Sequence, residues 1–149
     1  MPKYTRSSLF PDLNVWVALT YDRHVHHLAA KNWFEALPED ARVCFCRFTQ
    51  VGFLRLLTTE AVMGANEVMS QGQAWETYDR WMEDPRVMFL DEPLNLEASF
   101  RSISRTGRPA PKEWADSYLV AFAIVSGLKL VTFDQALRTR IGELVILKK

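Results

Sequence analysis

The stretch Ser8-Leu9-Phe10-Pro11-Asp12-Leu13-Asn14-Val15-Trp16 decides the fold. A short apolar run ends in one carboxylate, an Asn follows two residues later, and an amphipathic segment begins at once. A parallel strand hands over to a helix in this way in α/β proteins. Asp12 then stands at the strand's carboxyl end, the edge at which open parallel sheets bind ligands.

Outward from there the same alternation repeats. Leu9 and Phe10 form a short strand limited by Pro11, and Asn14 to Thr20 turns as a helix with Val15, Trp16 and Leu19 inward. His24 to Leu37 reads as a helix burying Val25, Leu28, Ala29, Trp33, Ala36 and Leu37, stopped by Pro38. Arg42 to Phe48 is apolar on both faces, a strand covered on two sides. Thr49 is the expected N-cap of a helix over Gln50 to Leu57, with Val51, Leu54 and Leu57 inward. Thr58 to Asn66 is a loop, and Asn66 caps a long helix over Glu67 to Glu83. Val87 to Leu90 is a strand and Leu94 to Ile103 a helix. Ser104 to Lys112 carries Gly107, Pro109 and Pro111 and reads as a basic loop. Glu113 to Ser126 is a helix closed by Gly127, and Leu128 to Phe133 a buried strand running into Asp134. A short helix over Gln135 to Ile141 and a last strand over Leu144 to Leu147 complete the chain. Strands alternating with helices predict a parallel sheet of about five strands with helices on both faces, in one domain spanning residues 1–149.

Composition narrows the function classes. Lys plus Arg and Asp plus Glu are 18 each, so the formal net charge is zero and any nucleic-acid contact must come from a local patch. Cys44 and Cys46 are too few for a structural zinc site and read as core thiols in a reducing, cytoplasmic compartment. His24, His26 and His27 lie in one turn and point apart, so they read as ordinary surface or capping imidazoles. Met1-Pro2-Lys3-Tyr4 leads into no long apolar run, and no stretch reaches the ~20 apolar residues that cross a bilayer. No signal peptide and no membrane association are therefore expected.

Three carboxylates carry the chemistry. Asp12 and Asp134 each follow an apolar strand, and Asp116 lies in the first turn of its helix, so all three can meet on one edge. Two unit charges ~4 Å apart repel by roughly 4 kcal/mol at an effective dielectric of ~20, so such a group needs protons or a divalent cation. Oxygen ligands point to Mg²⁺ or Mn²⁺. A metal there can activate water against a phosphodiester. Arg55, Arg101, Arg105, Arg108 and Lys112 are the candidate phosphate-binding cations.

Four motifs in order resemble a PIN domain, and more narrowly the VapC-type toxins of toxin–antitoxin pairs. They are Leu9 to Leu19 around Asp12 and Asn14, Thr49 to Thr58, Trp114 to Ala123 around Asp116, and Leu130 to Asp134. The resemblance implies a three-layer α/β/α PIN-like fold and a Mg²⁺- or Mn²⁺-dependent endoribonuclease with RNA as substrate. It also implies a homodimer and a cognate VapB-like antitoxin. Asp12, Asp116 and Asp134 match three of the family's four acids, and Asn14 and Thr132 the polar neighbours that steady them. The remaining acid, usually Glu, falls on Gln50, whose carbonyl is at best a neutral ligand. Asp91, after the third strand, is a candidate replacement. The alternative is a PIN-like module that binds RNA or antitoxin without cutting. A receiver-like acidic pocket fits poorly, because Lys129 precedes the core of its strand.

Overall fold

The computed structural model describes residues 8–139 and 144–147. Its centre is a five-stranded parallel sheet of order β3-β2-β1-β4-β5, formed by β1 (Ser8–Pro11), β2 (Arg42–Phe45), β3 (Val87–Phe89), β4 (Lys129–Thr132) and β5 (Leu144–Ile146). Leu9 pairs with Val43 on one side and Lys129 on the other. Helices α1 (Leu13–Thr20), α2 (His27–Glu35), α3 (Arg47–Leu57), α4 (Glu60–Met63), α5 (Gln71–Met82), α6 (Leu96–Ser104) and α7 (Trp114–Ser126) connect the strands. This is the α/β architecture that the alternation predicts.

The period-2 alternation of each strand splits the core into two layers. Leu9, Val43, Phe45, Val87 and Val131 face one way, against Trp16, Phe34, Phe53 and Tyr78. Phe10, Cys44, Cys46 and Leu130 face the other, against Leu96, Leu119, Val120 and Phe122. Both cysteines are free and buried, and burial pushes the Cys44 thiol up to about 12, so they are packing groups as expected. Gly127 takes φ 70 and closes α7, because that left-handed cap suits a residue without a Cβ.

Several boundaries differ from the sequence reading, each for a local reason. Helix α2 starts at His27, and it buries Ala30 and Phe34 while Val25 and Leu28 are exposed. The apolar period is displaced because the turn at His24–His26 is held by the His24 ring accepting the His26 N–H. Helix α3 starts at Arg47, with Cys46 as cap and Thr49 inside the first turn, so Phe53 and Leu57 are buried and Val51 is exposed. A short helix, α4, occupies part of the expected loop. Helix α5 begins only at Gln71, because Ser70 and Gln73 exchange hydrogen bonds as a capping box. Residue 141, the expected end of the segment after β4, lies outside the described residues; Gln135 to Thr139 form a 3-10 helix.

Candidate functional site

Strand order reverses between β1 and β4: from β1 the chain builds β2 and β3 outward on one side, and β4 and β5 lie on the other. Such a switch point opens a crevice at the carboxyl ends of the two central strands. Asp12 sits directly on it. Its N–H donates to the Val131 carbonyl of β4 at 3.0 Å, continuing the ladder by one residue. Its carboxylate caps α1, accepting the Val15 N–H at 3.1 Å. The strand thus ends and the helix begins on one side chain.

Thr132 is fully buried at the end of β4 and joins the two central strands. Its hydroxyl donates to the second carboxylate oxygen of Asp12 and accepts the Asp134 N–H at 3.0 Å. Asp12 is only 8% exposed. Burial raises its pKa to about 6, against the lowering pull of Thr132 and of the Val15 and Asn14 N–H groups. The nearby Asp116 charge, delivered by the first turn of α7, raises it further. Asn14 serves through its main chain, and its side chain is exposed.

The structure sets the Asp12 and Asp116 charges within electrostatic reach of one another, and ties the Asp134 main chain to the Thr132 hydroxyl that holds Asp12. The Asp134 carboxylate accepts the Ala136 N–H at 2.9 Å, capping the 3-10 turn. Among the described residues no three His, Cys, Asp or Glu side chains form a group able to hold a metal ion. The expected crowding of three carboxylates is therefore present for two. The reason is local: an Asp ahead of a tight turn satisfies that turn's free N–H groups.

Gln50 is buried, and its side chain is engaged by Arg47 and Tyr78. Its carbonyl accepts an N–H from Arg47, and the side chain hydrogen-bonds the Tyr78 hydroxyl. Arg47 also lies 4.6 Å over the Phe89 ring. Sequence reading passed over Arg47, although a helix-period spacing of three from Gln50 was a legible signal. Asp91 is exposed, and its neighbour Glu92 instead accepts from Tyr118 at 2.8 Å.

Of the candidate phosphate-binding cations, Arg108 pairs with Glu113 at 2.9 Å, and Arg101 pairs with Glu97 at 2.8 Å. Arg105 and Lys112 are exposed around the same loop. Arg55 lies in the last turn of α3, about 12 Å along the helix from its start at the carboxyl edge, so the structure does not bring it to the acids. The imidazoles are half-buried against neighbouring elements and not solvated as expected: His27 contacts the Ala18 carbonyl at 2.7 Å and His26 stacks on Phe133.

Comparison with known proteins agrees with this geometry. The chain matches the PIN domain over residues 9–141. It is 40% identical over 131 residues to Ribonuclease VapC41 of Mycobacterium tuberculosis, covering 86% of this chain and 90% of that one. Ribonuclease VapC38 of the same organism is 28% identical over 135 residues, 86% of each chain. Among solved structures, M. tuberculosis VapC20, a Sarcin-Ricin loop cleaving toxin, superposes with a TM-score of 0.68 at 15% identity, over 94% of this chain and 99% of that chain. VapBC2 from Rickettsia felis, bound to a DNA fragment from their promoter, gives 0.66 at 14% identity, over 95% and 99%. These two structural likenesses concern the fold, while the family match and the VapC41 identity concern descent. The chain belongs to the PIN-domain family, among the VapC ribonucleases.

Proposed function

We propose that this protein is a divalent-metal-dependent endoribonuclease, the toxin of a type II toxin–antitoxin pair, working as one domain in the cytoplasm. The observation that carries the reading is Asp12, buried at the switch point and tied by Thr132 to the neighbouring strand. The ribonuclease relative at 40% identity weighs against the alternative of a module that binds without cutting. A VapB-like antitoxin as partner is supported by the toxin–antitoxin complex among the structural neighbours. A homodimer is part of the same reading. Among the described residues no helix is long and apolar enough to cross a membrane.

The donor set fits a hard cation in type: Asp12 and Asp116 offer only oxygen, and a carboxylate desolvated to a pKa of about 6 gains most from a positive neighbour. Asp12, Asp116 and Asp134 would hold Mg²⁺ or Mn²⁺, with one Asp134 oxygen accepting the Ala136 N–H. When bound, such a cation supplies Lewis acidity toward water and the phosphodiester. Thr132 fixes the rotamer of Asp12 and, through the Asp134 N–H, the start of the following turn. Arg105 and Lys112 are exposed around the loop before α7 and supply positive charge for the RNA backbone, while Arg108 there is paired with Glu113.

The test is cleavage of purified RNA with Mg²⁺ or Mn²⁺ by wild type and Asp12→Ala. Cleavage disappears in the variant while its circular dichroism stays native. Undiminished cleavage by Asp12→Ala overturns the assignment.

A further inference from the structure

We propose that Arg47 is a substrate-positioning residue that grips an RNA phosphate flanking the scissile one, and that Gln50 serves to aim it. This rests on the ribonuclease reading and adds a contact to it. Continuing the pairing of Leu9 with Val43 sets Cys46 opposite Asp12, so Arg47 is the first residue beyond the same carboxyl edge. Its guanidinium lies over Phe89, which pairs with Phe45 on the next strand out. Two strand spacings, about 10 Å, separate that strand from the one bearing Asp12. This is the reach of a neighbouring nucleotide.

Arg47 is held yet uncompensated. One face rests on Phe89, and one N–H is taken by the neutral carbonyl of buried Gln50. Gln50 is itself fixed by Tyr78. Among the described residues Arg47 makes no ion pair, whereas Arg86, Arg101 and Arg108 each pair with a carboxylate. The remaining guanidinium donors of an exposed arginine can fork onto a phosphate. A Glu at position 50 would pair with Arg47 and cancel its charge, so the departure at this position preserves a cation instead of supplying a ligand.

The experiment measures binding of a fluorescent single-stranded oligoribonucleotide in EDTA across a salt series. Arg47→Ala weakens binding several-fold and reduces the slope of log affinity against log salt by about 0.7, the loss of one phosphate contact on a single strand. Arg47→Lys restores the slope and only part of the affinity. Gln50→Glu weakens RNA binding, because its carboxylate captures Arg47. An unchanged slope in Arg47→Ala, or wild-type protein that binds no RNA, overturns the proposal. Tighter Mn²⁺ binding by Gln50→Glu with unaltered RNA affinity also overturns it, since Gln50 would then face the metal. Failure of the ribonuclease reading looks different: wild type and Arg47→Lys bind RNA, and neither cuts it with Mg²⁺ or Mn²⁺.

Discussion

Asp12 does two incompatible things at once. It caps α1 and anchors the end of β1, which favours an ordered, shielded carboxylate, and in the proposed function it would meet a cation, which favours an ionised one. The pKa of about 6 records the conflict. The folded state binds this proton more tightly than the unfolded chain, whose Asp titrates near ~3.9. Its contribution to stability is therefore full below about pH 4 and is lost as pH rises through about 6. The loss amounts to about 3 kcal/mol from two pKa units. Asp12→Asn carries no charge to bury. In urea denaturation with EDTA the variant gains stability relative to wild type between about pH 4 and pH 7.5. A difference that stays flat with pH would show that Asp12 does not titrate in that window. Asp12 and Asp116 were legible as single residues because each follows a recognisable strand end or helix start. The capping contact of Asp134 was not, because it depends on which N–H the next turn leaves free.

At the scale of elements, the start of α3 is the informative case. Thr49 has the chemistry of an N-cap, and position alone suggested that role. In the fold its hydroxyl reaches back from the third helical position, accepting the Cys46 N–H at 2.9 Å and donating to the Cys46 carbonyl. A capping residue and a residue that reaches back to one share the same side chains, so sequence reads the device and misplaces it by one turn. The displacement rotates the helix and exchanges exposed Val51 for buried Phe53. It also puts Gln50 and Arg47 on one face, three residues apart. Thr49→Ala leaves the buried Cys46 N–H without its partner and costs about 1–3 kcal/mol in chemical denaturation. Thr49→Ser recovers most of that stability. Equal losses in the two variants would place the effect in packing of the Thr methyl group. RNA affinity in Thr49→Ala falls together with the loss of helix start, since Arg47 stands on that turn.

At the scale of the whole molecule, one aromatic cluster fastens the first crossover to the sheet. Trp16 is fully buried, stacked on Phe45 at 3.9 Å between ring centres and met edge-on by Trp81. Four elements therefore close on one ring system: α1, β2, α5 and, through Phe53, α3. Trp16→Ala removes the shared partner and costs about 3–5 kcal/mol. That is a large part of the 5–15 kcal/mol typical of a domain, so the variant shows a strongly lowered urea midpoint or fails to accumulate folded. A midpoint within error of wild type would mean that the layer does not depend on this ring. The sequence by itself determined the alternation of strands and helices, the parallel sheet, the two-sided core and the placing of Asp12 at a strand's end, because periodicity and strand-end residues are local properties of the chain. Only the tertiary structure decided that β1 and β4 lie side by side, so that Thr132 holds Asp12 across 120 residues of separation. It alone turned Gln50 to Arg47 and Tyr78, because strand order and helix rotation are set by which apolar faces bury one another, and no short stretch of sequence carries that choice.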